Sequence, residues 1–223
     1  MKKEVKILLA VIILVGIAGA VGANFYRKSV QSVPVAGTKI SEELTRPDSP
    51  SIGPADAKVT LVEFYDPECG TCAAFHPIVK DILKEFDGKV RFVARYATFH
   101  KDARIAAIYT EAAGEQGKYW EMREKLFEKQ NDWGEVHGNG QQPARTSGPT
   151  DKFEQYAKEL GMNVDQLKAS VADPKHGARV DRDMKDVSSL KVQRTPTFYV
   201  NGRLLAKLGK DDLKALISEE LAK

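Results

Sequence analysis

The sequence predicts an α/β fold, a central sheet flanked by helices with a helical subdomain inserted into it, and three observations carry that prediction. Two runs of strand character, Val59–Tyr65 and Val90–Tyr96, enclose an amphipathic helix. From about Lys101 to Leu190 the apolar residues then recur at helical spacing. Strand chemistry returns only at Thr197, before a final amphipathic helix.

Taken in order, the chain begins with Lys2, Lys3 and Lys6, an uncharged run Ile7–Ala23, and then Phe25, Tyr26, Arg27 and Lys28. This is the pattern of an export signal, and Val21-Gly22-Ala23 offers a small-residue cleavage site. The aromatic pair and its basic edge resemble an interfacial belt, which favours a retained single-pass anchor over residues 1–28. The rest of the chain is then extracytoplasmic, facing the periplasm or the outer side, with secretion after signal cleavage as the alternative. Residues 29–54, rich in Ser, Pro, Gly and Thr with only a short helical turn near Glu42–Leu44, read as a linker.

The formal charge of +3 comes from the N-terminus. Residues 1–28 hold five of the 34 Lys and Arg and one of the 31 Asp and Glu; the remainder has 29 basic and 30 acidic residues, a net of −1. That balance gives no electrostatic footprint for nucleic acid. With 42% hydrophobic residues the chain fills a substantial core, and residues 55–223 read as one domain with an insertion at about 101–190.

Val59–Tyr65 is apolar apart from Thr60 and Glu63, so it reads as a buried strand, ended by Asp66 and Pro67. Both cysteines follow, Cys69 and Cys72. The helix after them places Phe75, Ile78, Val79, Ile82 and Phe86 on one face, with Pro77 predicted to kink it. The thiols thus sit where a helix begins, and there the backbone N–H groups and the macrodipole favour a thiolate, making Cys69 more acidic than a free cysteine.

Gly88 allows a turn into Val90–Tyr96, completing a strand–helix–strand unit with a right-handed crossover. Further helices are predicted around Ile105–Ala112, Trp120–Phe127, Phe153–Leu160, Val164–Val171 and Val180–Val187, with a surface loop over Asn131–Pro149. At the end, Thr197–Val200, the Asn201-Gly202 turn and Arg203–Ala206 form a hairpin. Asp211 can cap a last helix that buries Leu213, Leu216, Ile217 and Leu221.

Cys-x-x-Cys spacing lets the two side chains close a small disulfide ring across the first helical turn, and reopening it needs a thiolate of depressed pKa. As a metal site the pair would need further soft donors, and only His76 is near in sequence; for haem attachment the residue after Cys72 would have to be His, and it is Ala73. Redox chemistry is the leading reading, with metal binding or a structural bridge as the alternatives, and no cofactor is implied.

Taken together, Ser-Pro-Ser-Ile-Gly-Pro-Ala-Asp-Ala from Ser49, Asp-Pro-Glu-Cys-Gly-Thr-Cys from Asp66, the helical insertion and Thr-Pro-Thr-Phe-Tyr-Val-Asn-Gly from Thr195 resemble the DsbA-like thiol–disulfide oxidoreductases of the thioredoxin superfamily. The resemblance implies a thioredoxin fold with a central mixed sheet. It implies that Cys69 is the nucleophile and Cys72 the resolving thiol of a redox-active Cys69–Cys72 disulfide. Pro196 matches the family's cis-proline, with Thr195 exposing its backbone to an extended substrate. Glu63 matches a buried carboxylate able to carry protons to and from Cys72, and Arg95 is similar in position to its basic partner. His76 is given no catalytic role.

Between the cysteines stand Gly70 and Thr71, where DsbA has a dipeptide containing His, so the resemblance implies a milder thiolate and a less oxidising couple than DsbA's. The expected activity is a monomeric oxidase that gives its disulfide to exported proteins and is recharged by a DsbB-like, quinone-linked membrane partner. A reductase served by a DsbD-like membrane donor, an isomerase, and a non-enzymatic thiol module binding a soft metal or a client protein are the alternatives.

Overall fold

The computed structural model describes residues 42–135 and 148–223. The anchor expected over residues 1–28, the linker as far as residue 41 and most of the loop expected after Asn131 lie outside the described residues. Among the described residues no helix is long and apolar enough to cross a membrane.

The elements run β1 (Ser51–Ile52), β2 (Val59–Tyr65), α1 (Gly70–Glu85), β3 (Val90–Tyr96), α2 (Ala103–Gly114), α3 (Tyr119–Glu128), α4 (Gln130–Trp133), α5 (Thr150–Glu159), α6 (Val164–Val171), α7 (Pro174–Ser189), β4 (Thr197–Val200), β5 (Arg203–Leu204) and α8 (Lys210–Ala222). Among the described residues five strands form one sheet in the order β1-β3-β2-β4-β5. Only β2 and β3 pair in parallel, as their connection through α1 requires; the other pairs are antiparallel. The predicted ranges of β2, β3 and β4 are those observed, and helices α2 to α7 occupy the predicted insertion.

Strand alternation sends β2 side chains to two different cores. Val59, Leu61 and Tyr65 pack with Phe75, Val79 and Ile82 of α1 and with Leu213 and Ile217 of α8. Val62 and Phe64 pack on the opposite face with Val187 of α7 and Tyr199 of β4. The last helix of the insertion therefore closes one face of the sheet. A third core, with Tyr109, Met122, Leu126, Trp133, Phe153 and Leu167, belongs to the insertion itself.

Three expectations need correction. Residues 42–54 are not linker: Leu44 is fully buried, Arg46 donates through Nε and Nη2 to Asp186 at 3.0 and 2.6 Å, and β1 pairs along β3, Ser51 opposite Val93. A strand of two residues is too short to show alternation, yet it covers the backbone edge of β3. The loop expected from Asn131 begins later, because α4 carries Trp133 into the core, where its indole N–H donates to the Leu126 carbonyl at 2.8 Å. Finally, β5 ends at Leu204, and Asp211 does not cap α8; Gly209 stands at the N-cap with no side-chain bond.

The hairpin turn is as expected, Asn201 and Gly202 both having positive φ, 47° and 82°. Gly53 matters for a different reason. Its φ is +93°, and a Cβ there would run into the Val90 carbonyl oxygen. Gly53→Ala is therefore expected to lift β1 from the edge of β3 and cost about 1–3 kcal/mol, measured by urea unfolding; an unchanged midpoint would show that β1 contributes no stability.

Candidate active site

Cys69 sits at the N-cap of α1 with extended backbone, φ −75° and ψ 119°, held by its N–H bond to the Asp66 carbonyl at 3.1 Å. Cys69 is 7% exposed and Cys72 is fully buried one turn further on; both are thiols in this structure. The environment separates them. Cys69 is brought down to about 5, chiefly by a hydrogen bond from the Cys72 thiol; burial opposes this, while the Thr195 side chain and the backbone N–H groups of Cys72 and Thr71 add to it. Cys72 is pushed well up by burial, then by its bond to Cys69 and the nearby charges of Glu63 and Cys69.

The insertion ends opposite this pair. The Thr195–Pro196 peptide is cis, and the Thr195 carbonyl oxygen lies 3.5 Å from Cys69 Sγ. Pro196 is buried and Thr195 half-buried. The two residues named from the sequence as the docking edge thus stand against the nucleophile. Gly70 and Thr71 also stay at the site. The Thr71 side chain is exposed and its part in tuning comes from its backbone N–H, while Gly70 lines a groove of about 330 Å³ with Ala73, Phe127 and Gln130.

Glu63 is fully buried on the α1 face of β2, and burial raises its pKa. Its expected partner needs correction: Arg95 is not beside it. In the register of β2 and β3, Glu63 stands opposite Ala94 and Arg95 opposite Phe64, so alternation sends Arg95 to the other face. There it binds Asp183 at 2.8 Å, Asp186 at 2.6 Å and the Glu43 carbonyl at 2.7 Å.

The actual partner is Arg123 of α3, whose Nη2 donates to Glu63 Oε2 at 2.5 Å. Sequence reading missed it, although a signal exists: Arg123 lies on the apolar stripe between Trp120 and Phe127, at i+3 and i−4. Its guanidinium is held against the rings of Tyr65 and Phe127, 4.4 and 5.1 Å from their centroids. His76, whose Nδ1 is 3.2 Å from Arg123 Nη1, packs on Phe127; burial, then the Arg123 charge, lowers it to about 4, so it is neutral.

Two more carboxylates shape the loop before Cys69. Asp66 accepts from the N–H of Glu68, Phe99 and His100 at 2.8, 2.7 and 3.0 Å. Glu68, fully buried, accepts from the N–H of Asp102 and Glu135 at 2.6 and 2.8 Å, and Gln130 Nε2 donates to the Pro67 carbonyl at 2.9 Å. These bonds tie the loop to the insertion, so the thiols ride on a braced turn. Among the described residues no three of His, Cys, Asp and Glu are placed together to hold a metal ion.

Residues 45–219 match the family model described as thioredoxin. Disulfide bond formation protein D of Bacillus subtilis (strain 168) is 31% identical over 179 residues, 77% of either chain. The oxidised BdbD crystal structure from Bacillus subtilis superposes with a TM-score of 0.66 at 28% identity, covering 78% of this chain and 94% of that one. A Na(+)/H(+) antiporter NhaA 1 of Salinispora arenicola is 35% identical over 154 residues, 68% of this chain; the chain spans only 21% of that relative's length. The dithiol at the helix start, the cis-proline opposite it and these likenesses agree: the chain belongs to the thioredoxin family and is similar to disulfide bond formation protein D over most of both chains.

Proposed function

We propose that this protein is an extracytoplasmic oxidase that passes the Cys69–Cys72 disulfide to cysteine-bearing exported proteins. The observation that carries the proposal is the placement of the two thiols, Cys69 at the N-cap of α1 beside the cis Thr195–Pro196 peptide and Cys72 fully buried one turn on, which pulls Cys69 down to about 5 and Cys72 well up. A stabilised thiolate favours the reduced protein and so makes its disulfide a ready oxidant; it also makes Cys69 the better leaving group. A substrate thiolate attacks Cys69 Sγ, the S–S bond breaks, and Cys72 leaves as a thiolate that takes the proton of the Glu63 carboxyl. A second substrate thiolate then attacks the substrate sulfur of the mixed disulfide and Cys69 leaves as thiolate, so two electrons pass from substrate to protein.

Recharging runs the other way, with Cys69 attacking a disulfide of a quinone-linked membrane oxidant and Cys72, having lost its proton to Glu63, closing the ring. The Thr195 carbonyl beside Cys69 supports docking of an extended substrate segment at Thr195 and Pro196. The basic, apolar N-terminus over residues 1–28 supports export, as a single-pass anchor or a cleaved signal.

The expected result is a thiolate absorbance near 240 nm that falls with acid through a midpoint near pH 5 and disappears in Cys69→Ser. The couple is expected to lie between about −270 mV, as in thioredoxin, and about −120 mV, as in DsbA. The Gly70-Thr71 spacer, which brings no cation to the thiolate, favours a reductase as the second reading. A potential at or below thioredoxin's selects that reading over the oxidase.

A further inference from the structure

Glu63 presents a puzzle in charge and geometry. A buried Arg–carboxylate pair adds little stability over a well-packed apolar pair of similar volume, so stability alone does not account for it. The contact is also one-armed. An arginine fork normally takes both oxygens of a carboxylate. Here Nη2 takes Glu63 Oε2, while Nη1 is turned to His76 Nδ1, and Glu63 Oε1 is buried without a hydrogen-bond partner among the described residues. Since arginine only donates, His76 Nδ1 accepts, and the proton of the neutral ring is on Nε2.

The ionisable groups facing Glu63 are few. Arg123 comes from α3, and Cys69 and Cys72 come from α1. The residues opposite it on the adjoining strands are Ala94 and Phe198, both apolar. Around Arg123 stand Tyr65 of β2, Tyr119 at the start of α3 and His76 of α1, with the rings of Phe92 and Trp120 beyond.

We infer that Arg123 is a positioning residue for thiol exchange: the inserted helical segment supplies a cation that clamps one oxygen of Glu63 and leaves the other open to the Cys72 proton. This rests on the proposed role of Glu63 as proton carrier. Burial drives Glu63 toward its neutral form, and a neutral carboxyl cannot accept a proton; the Arg123 charge and hydrogen bond oppose that drive. The clamp also couples the two halves of the fold, because α3 lies in the insertion while Glu63 and Cys72 lie on β2 and α1.

The reaction of the reduced full chain with oxidised glutathione isolates the step. The Cys69 thiolate attacks one glutathione sulfur and expels a glutathione thiolate. Cys72 then gives its proton to Glu63, attacks Cys69 Sγ and expels the second. Rapid quenching and mass spectrometry follow the glutathionylated intermediate as a function of pH. Glu63→Gln is expected to slow its resolution on the order of 10²-fold near pH 7. In Arg123→Met the same intermediate accumulates, and the pH midpoint of resolution moves up, because the carboxyl has lost the charge that held it ionised. Arg123→Lys recovers part of the rate, and adding Arg123→Met to Glu63→Gln slows nothing further.

Wild-type resolution and midpoint in Arg123→Met, beside a slow Glu63→Gln, would overturn the inference and leave Glu63 in place; so would additive effects in the double variant. A Glu63→Gln that resolves like wild type removes the proton-carrier reading itself and the inference with it. Should Arg123→Met not fold, Arg123→Gln, which also removes the charge, decides with and without Glu63→Gln. A midpoint displaced only when Glu63 is present supports the clamp, and an unmoved one overturns it.

Discussion

Replacing Cys69 by serine is expected to abolish peptide oxidation and insulin reduction alike, a loss of at least about 10³-fold, because no other thiol can take its place. The chain has two cysteines, and the second is fully buried with its pKa pushed up, so it cannot initiate exchange with a folded or extended partner. Cys72→Ala should behave in the opposite manner. Cys69 remains at the helix start beside the Thr195 carbonyl and still attacks, but nothing closes the ring, and mixed disulfides with client proteins accumulate. The same variant loses the Cys72 hydrogen bond that contributes most to lowering Cys69, so its thiolate midpoint should rise above about 5. Trapped adducts on non-reducing gels, together with the absorbance titration, check both halves. Adducts from Cys69→Ala and none from Cys72→Ala would reverse the assignment of nucleophile and resolver.

What the sequence made legible follows from the length of each signal. Val59–Tyr65 and Val90–Tyr96 are seven residues each, rich in β-branched and aromatic residues and buried on both faces, so their strand character is unambiguous. Ser51–Ile52 is two residues among Ser, Pro and Gly, and nothing local announces a strand; its partner edge on β3 makes it one. The cysteine pair and Pro196 were found because each is a rare residue at an informative position. The partner of Glu63 was not found, because a lone arginine on the apolar stripe of α3 does not say which residue 60 positions away it meets, and Arg95 stood nearer on the adjacent strand. One step of alternation separates the two readings, and β2–β3 register decides it. Asp66 and Glu68 were passed over for a related reason: acidic residues at a strand end look solvated until the N–H groups they bind, at Phe99, His100, Asp102 and Glu135, are brought to them.

Arg95 itself gives the second large effect, on stability and not on chemistry. Its side chain is fully buried, and its guanidinium neutralises Asp183 and Asp186, both 5% exposed, while Arg46 reaches Asp186 from the segment before β1. Asp183 in turn accepts the Tyr96 N–H at 2.9 Å, so the cluster joins β3, α7 and residues 43–46. Removing one partner of such a pair strands a buried charge, and Arg95→Met is expected to lose about 3–5 kcal/mol, on the order of 6–20 °C in Tm. The loss should depend on pH in a definite direction. Burial raises the Asp186 pKa, but the hydrogen bonds from Arg46 and Arg95 outweigh it and hold the carboxyl below its ordinary value. A depressed carboxylate contributes stability above its unfolded pKa of about 3.9 and loses it as pH falls through the folded value, so the gap between wild type and Arg95→Met should narrow in acid below about pH 4. Urea unfolding at pH 7 and pH 3 measures both, and a loss under about 1 kcal/mol at pH 7 would show that the cluster carries little. The thiol provides the decisive control. Because Arg95 faces away from Glu63, the Cys69 thiolate in Arg95→Met should still titrate near pH 5, whereas a displaced midpoint would return Arg95 to the active site.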